Sequence, residues 1–143
     1  MLGDITSLTW LQSFLIFLGR VCISLTFLFF LVYSLIVWEE SMRMIEDHNI
    51  PCPYVYFLSS SLFCGLGGIM VLIGWRTRLG AFLLLIALSV HVYYFYNFWT
   101  IDDQSQMHHY QLIYFMNLAI FGGLLYVLAC GPGLLSCDHR RRP

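Results

Sequence analysis

Four apolar runs, parted by short polar or charged stretches, organise the chain. They cover about residues 13–38, 54–75, 79–99 and 110–130. Each supplies the ~20 residues that a helix needs to cross a hydrocarbon core of ~30 Å. In lipid, backbone N–H and C=O groups must bond within their own segment, so each run predicts a helix. A membrane β-barrel would instead alternate polarity within segments of ~10 residues, and no run does so. Between the first two runs lies "EESMRMIEDHNIPCP". Met42, Met44 and Ile45, set among charges, predict a short helix lying in the membrane interface. Pro51 and Pro53 fit the start of the second span, and Gly131-Pro132-Gly133 fits the end of the fourth. Cys64, Gly65 and Gly68 recur on neighbouring turns of the second span, where small residues let helices approach closely. The first and third runs close alike, on "VWEE" and "FWTIDD", and the second and fourth each carry a diglycine, Gly67-Gly68 and Gly122-Gly123. These likenesses suggest a parallel repeat of two hairpins.

Composition strengthens the membrane reading. Hydrophobic residues make up 59% of the chain and charged residues 10%, against roughly 45–50% and ~25% in soluble domains. Trp10, Trp38, Trp75 and Trp99 fall at span ends, where tryptophan anchors to the interface. No basic segment precedes the first run, which is therefore expected to be a permanent span rather than a cleaved signal.

Charge then orients the spans. Arg20, Arg76, Arg78 and Arg140 to Arg142 fall on one side, with Asp4 and Asp138. Glu39, Glu40, Glu46, Asp47, Asp102 and Asp103 fall on the other, opposed only by Arg43. Arginine and lysine favour the cytoplasmic face. The expected fold is thus an all-α, integral membrane four-helix bundle, one domain over residues 1–143, with both termini cytoplasmic.

Within the spans a few groups carry candidate chemistry. Arg20 stands seven residues into the first run, about 10 Å deep at 1.5 Å per residue. There it snorkels, makes a structural hydrogen bond, or meets an anionic ligand. His91 lies about 12 Å below Trp99 by the same rise and shares a helix face with Tyr94. Tyr33, Ser34, Cys64, Tyr114 and Asn117 stand at similar depth. Two readings stay open for this set. The groups bond one another between helices, each bond contributing ~0.6–2 kcal/mol. Alternatively His91, Tyr94, Tyr114, Asn117, Cys64 and Tyr33 line a pocket for a quinone headgroup or a lipid, with His91 donating to a carbonyl oxygen. "DDQSQMHH" and His48 supply carboxylate and imidazole on the acidic side, yet without ligand spacing, and no metal site is expected. The five cysteines include no C-x-x-C pair, which argues against thiol–disulfide catalysis. Neither a catalytic triad nor a phosphate-binding glycine loop is present, and no nucleic-acid partner is expected. The "RRRP" tail suits anionic lipid.

The stretches "LGRVCISLTFLF", "GGIMVLIGWRTRLGAFLL", "YNFW" and "QLIYFMNLAIFGGLLYVLACGPGLLS" resemble the DoxX family of small, four-helix bacterial inner-membrane proteins, over roughly residues 18–136. That resemblance implies a place in a membrane redox assembly, since the namesake relatives are subunits of a thiosulfate:quinone oxidoreductase. Where such relatives often carry a buried glutamate, histidine and lysine, this chain has Cys64, Tyr96 and Met116. The resemblance therefore implies an accessory or scaffold subunit in the bacterial inner membrane, not catalytic alone, acting with a redox protein partner or as a homo-oligomer. A quinone-reactive oxidoreductase component and a small-ligand or lipid-binding membrane protein are the alternatives.

Overall fold

The computed structural model describes the backbone of residues 2–48, 50–97 and 104–131, and their side chains from residue 10 onward except residue 105. Five helices follow one another: α1 (Leu2–Ile36), α2 (Trp38–Asp47), α3 (Pro53–Ile73), α4 (Thr77–Phe95) and α5 (Gln104–Cys130). Four of them, all but α2, contain segments long and apolar enough to cross a membrane. The protein is an all-helical membrane bundle.

Neighbour relations place the helices in the order α1, α3, α4, α5, with α1 and α5 meeting along a shorter seam. Burial agrees with this order. A third of the most apolar window is buried in α3 and in α4, against 17% in α1 and 11% in α5, so α3 and α4 are central. Glycine makes the central crossing close. A Cβ on Gly67 would lie 2.9 Å from Leu84 and 3.0 Å from the Gly80 carbonyl, and one on Gly80 would lie 2.8 Å from the Met70 Cβ. The diglycine of α3 serves two neighbours, because Gly68 instead faces Leu28 of α1, 3.0 Å from its would-be Cβ. Gly65 likewise meets Leu31 of α1. Around the crossing, Val71, Ala81, Leu84, Leu88, Leu124 and Val127 form the main apolar core.

The element limits differ from the apolar runs in physically simple ways. α1 starts at Leu2, well before residue 13, because a helix needs apolar side chains only where it meets lipid. α4 stops at Phe95, short of residue 99; Trp99 lies outside the described residues, as do Asp102, Asp103, Cys137, Asp138 and the arginine tail. α5 begins at Gln104, six residues before the fourth apolar run. Between α3 and α4 the turn uses left-handed backbone at Gly74 (φ 76°) and at Arg76 (φ 46°). Arg78 then reaches across to α5, donating to the Ala129 carbonyl at 3.5 Å.

α2 is amphipathic. Met42 and Ile45, one turn apart, are buried, whereas Glu39, Glu40, Arg43 and Glu46 are exposed. Spacing of three places the apolar pair on one stripe. Glu39 and Glu40 in the first turn complement the helix dipole. The buried pair packs on Ile50 and Phe57, with Tyr56, Tyr94 and Phe95 alongside. Ser41 of α2 also donates to the Ser34 carbonyl of α1 at 3.4 Å. Met44, grouped with the other two by composition, is instead 59% exposed.

Candidate functional site

Beneath α2 the bundle is not closely packed. Two abutting cavities, about 150 and 140 Å³, share Phe30, Ser60, His91 and Tyr96 and form one chamber. Its outer part also touches Tyr33, Ser34, Ser41, Met44 and Tyr56. Tyr33 and Met44 are exposed, so the chamber opens at the surface between α1 and α2. Its inner part reaches Thr26, which is exposed, and Asn117, and is walled by Phe27, Cys64, Ala87 and Leu88 of the main core.

His91 is the polar centre of this space. Its ring stacks on Phe95 at 4.7 Å between centroids and meets the edge of Phe30 at 5.2 Å. Tyr56 Oη lies 3.4 Å from His91 Nδ1, a hydrogen bond whose direction follows the tautomer. Where the tyrosine hydroxyl donates, a neutral imidazole keeps its proton on Nε2 and can donate it elsewhere. Ser60 and Cys64, one turn apart, lie side by side on the α3 wall. Tyr96, just past the end of α4, packs on His91 and on Tyr110. Burial, and after it the nearby Tyr110, raise its hydroxyl above the ordinary value, so it remains a protonated donor. No Asp, Glu, Lys or Arg lines either cavity among the described residues.

The six residues grouped by depth do not all meet. His91, Cys64, Asn117 and Tyr33 line the chamber. Tyr94 packs instead on Tyr56, at 6.0 Å and edge-on, beneath α2. Tyr114 lines a separate groove of about 300 Å³ between α4 and α5, together with Ser89, Tyr93 and Phe121. Depth alone does not say which way a side chain faces. Asn117 borders both spaces, and its Nδ2 donates to the Ile113 carbonyl at 2.9 Å. Arg20 lies in the opposite half, along the α1–α5 seam. Among the described residues no three His, Cys, Asp or Glu side chains gather as metal ligands.

Tyr56, Ser60, Phe30 and Phe95 were not singled out by the sequence reading. A signal existed in "YFLSSS", residues 56–61. Three serines in the first half of a span, toward α2, are easily taken for interface residues, yet Ser60 and Ser61 both line the chamber.

The SURF4 family model matches residues 2–143. The Surfeit locus protein 4 homolog of Drosophila melanogaster is 25% identical over 132 residues, covering 92% of this chain and 42% of that protein. The Surfeit locus protein 4 homolog of Schizosaccharomyces pombe (strain 972 / ATCC 24843) is 35% identical over 74 residues, 51% of this chain and 24% of that protein. The chain thus spans less than half the length of these curated relatives. No solved structure matches it. The family match overturns the resemblance to DoxX proteins. The motifs that carried that resemblance are glycines and leucines spaced for helix contact, plus an arginine turn. Membrane hairpins of unrelated families need the same features. The expectation of a bacterial inner membrane loses its basis with it; what stands is a multi-pass membrane protein.

Proposed function

The chain belongs to the SURF4 family, and on the geometry of its chamber we propose that it is a membrane ligand-binding protein. The observation that carries the reading is the uncharged chamber around His91, which reaches the surface at Tyr33 and Met44 and again at Thr26, and has Cys64, Ala87 and Leu88 of the core in its inner wall. Its two cavities are each the size that accepts one six-membered ring, since a dry cavity of ~150 Å³ holds benzene. The lining supplies aromatic faces together with the Tyr56, Tyr96 and serine hydroxyls and the His91 imidazole. Such a site suits a neutral, flat headgroup bearing hydrogen-bond acceptors. A formal charge would find no counter-ion among the described lining residues and would be costly to bury. A quinone headgroup meets these terms, with His91 or Tyr56 donating to its carbonyl oxygen. The accessory role in a redox assembly, and the redox partner it called for, came only from the DoxX resemblance and have no support in the family match. In the bilayer we place the end that carries Arg76 and Arg78 at the cytoplasmic face, on the bias of arginine to that end.

Trp38 gives a direct test. Its ring meets Phe57 edge-on at 4.9 Å, and Phe57 lines the chamber. A short-chain benzoquinone should quench Trp38 fluorescence along a saturable curve. Ser60→Leu, which fills the shared middle of the chamber, should remove saturation, and Trp38→Phe should remove the signal. Unsaturable quenching, the same in wild type and Ser60→Leu, would reject the site.

A further inference from the structure

The chamber around His91 has a second mouth, in the side of the bundle. α1 and α5 touch at one level of their seam, where a Cβ on Gly123 would lie 3.1 Å from Ile23 Cδ1. One turn closer to α2, Thr26 of α1 and Asn117 and Ile120 of α5 line the inner cavity together. Thr26 is exposed, and Asn117 and Ile120 are half-buried. The cavity therefore reaches the outside between these two helices. Behind this portal stand Ser60, Cys64 and His91.

The two mouths lie at different depths. Thr26 stands ten residues before the end of α1 at Ile36, about 15 Å at 1.5 Å per residue. That is near the middle of a hydrocarbon core ~30 Å thick, so the portal opens among acyl chains. The mouth at Tyr33 and Met44 lies at the α2 end, with Tyr33 less than one turn from the end of α1. A bare ring entering from water needs that mouth alone. A ring that carries a long tail needs an apolar exit as well. Exposing the tail to water at the α2 end is unfavourable for every methylene, whereas through the portal the tail stays in lipid. The rim suits hydrocarbon. The Thr26 hydroxyl donates to the Cys22 carbonyl at 3.0 Å, and Asn117 Nδ2 to the Ile113 carbonyl at 2.9 Å, so both engage their own helices.

We propose that the ligand of the chamber is a lipid, with a neutral, ring-bearing headgroup at His91 and a long apolar tail that leaves between α1 and α5 at Thr26 and Ile120. The tail's route rests on the chamber being a ligand site, and it adds the bilayer as the source of the ligand. Among quinones, it selects the long-tailed, membrane-soluble kind.

The test uses the full chain in lipid nanodiscs, without substitutions. The probe is a benzoquinone substituted at every ring carbon, one substituent being a decyl tail with a diazirine near the ring. Irradiation should label Thr26 and Ile120, read by peptide mass spectrometry. Excess tetramethylbenzoquinone, which has no tail, should compete for the headgroup site and lower that labelling at least tenfold. Labelling of Leu58 and Phe82, exposed on α3 and α4, reports probe dissolved in the bilayer and should not change. Labelling of Tyr33, Ser41 and Met44 in place of the rim, or rim labelling that the competitor does not lower, overturns the portal. Quenching of Trp38 by the short-chain quinone separates the two claims. Where it saturates and the rim stays unlabelled, only the tail's route fails; where it does not saturate, the chamber and the route fail together.

Discussion

His91 shows what one side chain can and cannot announce. A lone histidine in an apolar span marks a polar environment, and the depth of that environment was legible from helical rise alone. Its partners were not, because Tyr56 sits 35 positions away on another helix. Only the α3–α4 packing brings them together. Tyr94 and Tyr114, close to His91 in depth, turn to other neighbours. The hydrogen-bonding role of His91 is separable from its aromatic one. His91→Phe keeps a ring between Phe30 and Phe95 but removes both nitrogens. Leaving a ligand acceptor unpaired in a buried site costs about 1–3 kcal/mol. The variant should therefore weaken benzoquinone binding by roughly 5- to 150-fold, read from the Trp38 titration, and lower thermal stability only by what the Tyr56 hydroxyl loses with its partner. Unchanged affinity would restrict His91 to packing.

Among the elements, the spans and the short amphipathic helix α2 were legible because long apolar runs and mixed apolar–charged segments obey different spacing rules. Which glycine faces which helix was not legible, since crossing angle and helix rotation fix it. Gly80 sat unremarked beside the arginine turn, yet it is where α4 touches α3. Gly122, of the second diglycine, has nothing within 4 Å of a would-be Cβ. The two positions give opposite expectations. Gly80→Val must displace the Met70 side chain or the α3 backbone, and overpacking of this kind costs about 1–3 kcal/mol. Its melting temperature in detergent should fall by roughly 3–10 °C. Gly122→Ala should leave it unchanged or raise it slightly, through the higher helix propensity of alanine. Equal effects at both sites would show that α3 and α4 do not cross at Gly67 and Gly80.

At the scale of the whole molecule, one bundle holds two unlike halves. Toward the end that carries Arg76 and Arg78, glycines and Val71 and Leu84 pack α3 tightly against α4, and the open volume lies only along the α1–α5 seam. Toward α2, aromatic rings and hydroxyls stand around open volume. The sequence displayed the polar groups of that half but not the space between them, which exists because bulky rings from α1, α3 and α4 prop the helices apart. Family membership was legible least of all, since helix-contact motifs recur wherever helices cross lipid. The most direct measurement uses Cys64, buried on the wall of the inner cavity. In a variant retaining Cys64 alone, a small membrane-permeant methanethiosulfonate reagent should modify the thiol slowly but measurably. A saturating short-chain benzoquinone substituted at every ring carbon, which leaves no position for a thiol to add to, should slow that reaction at least tenfold. In a matched variant retaining only exposed Cys22, it should change nothing. A Cys64 rate that is the same with and without the ligand would contradict a ligand-holding chamber.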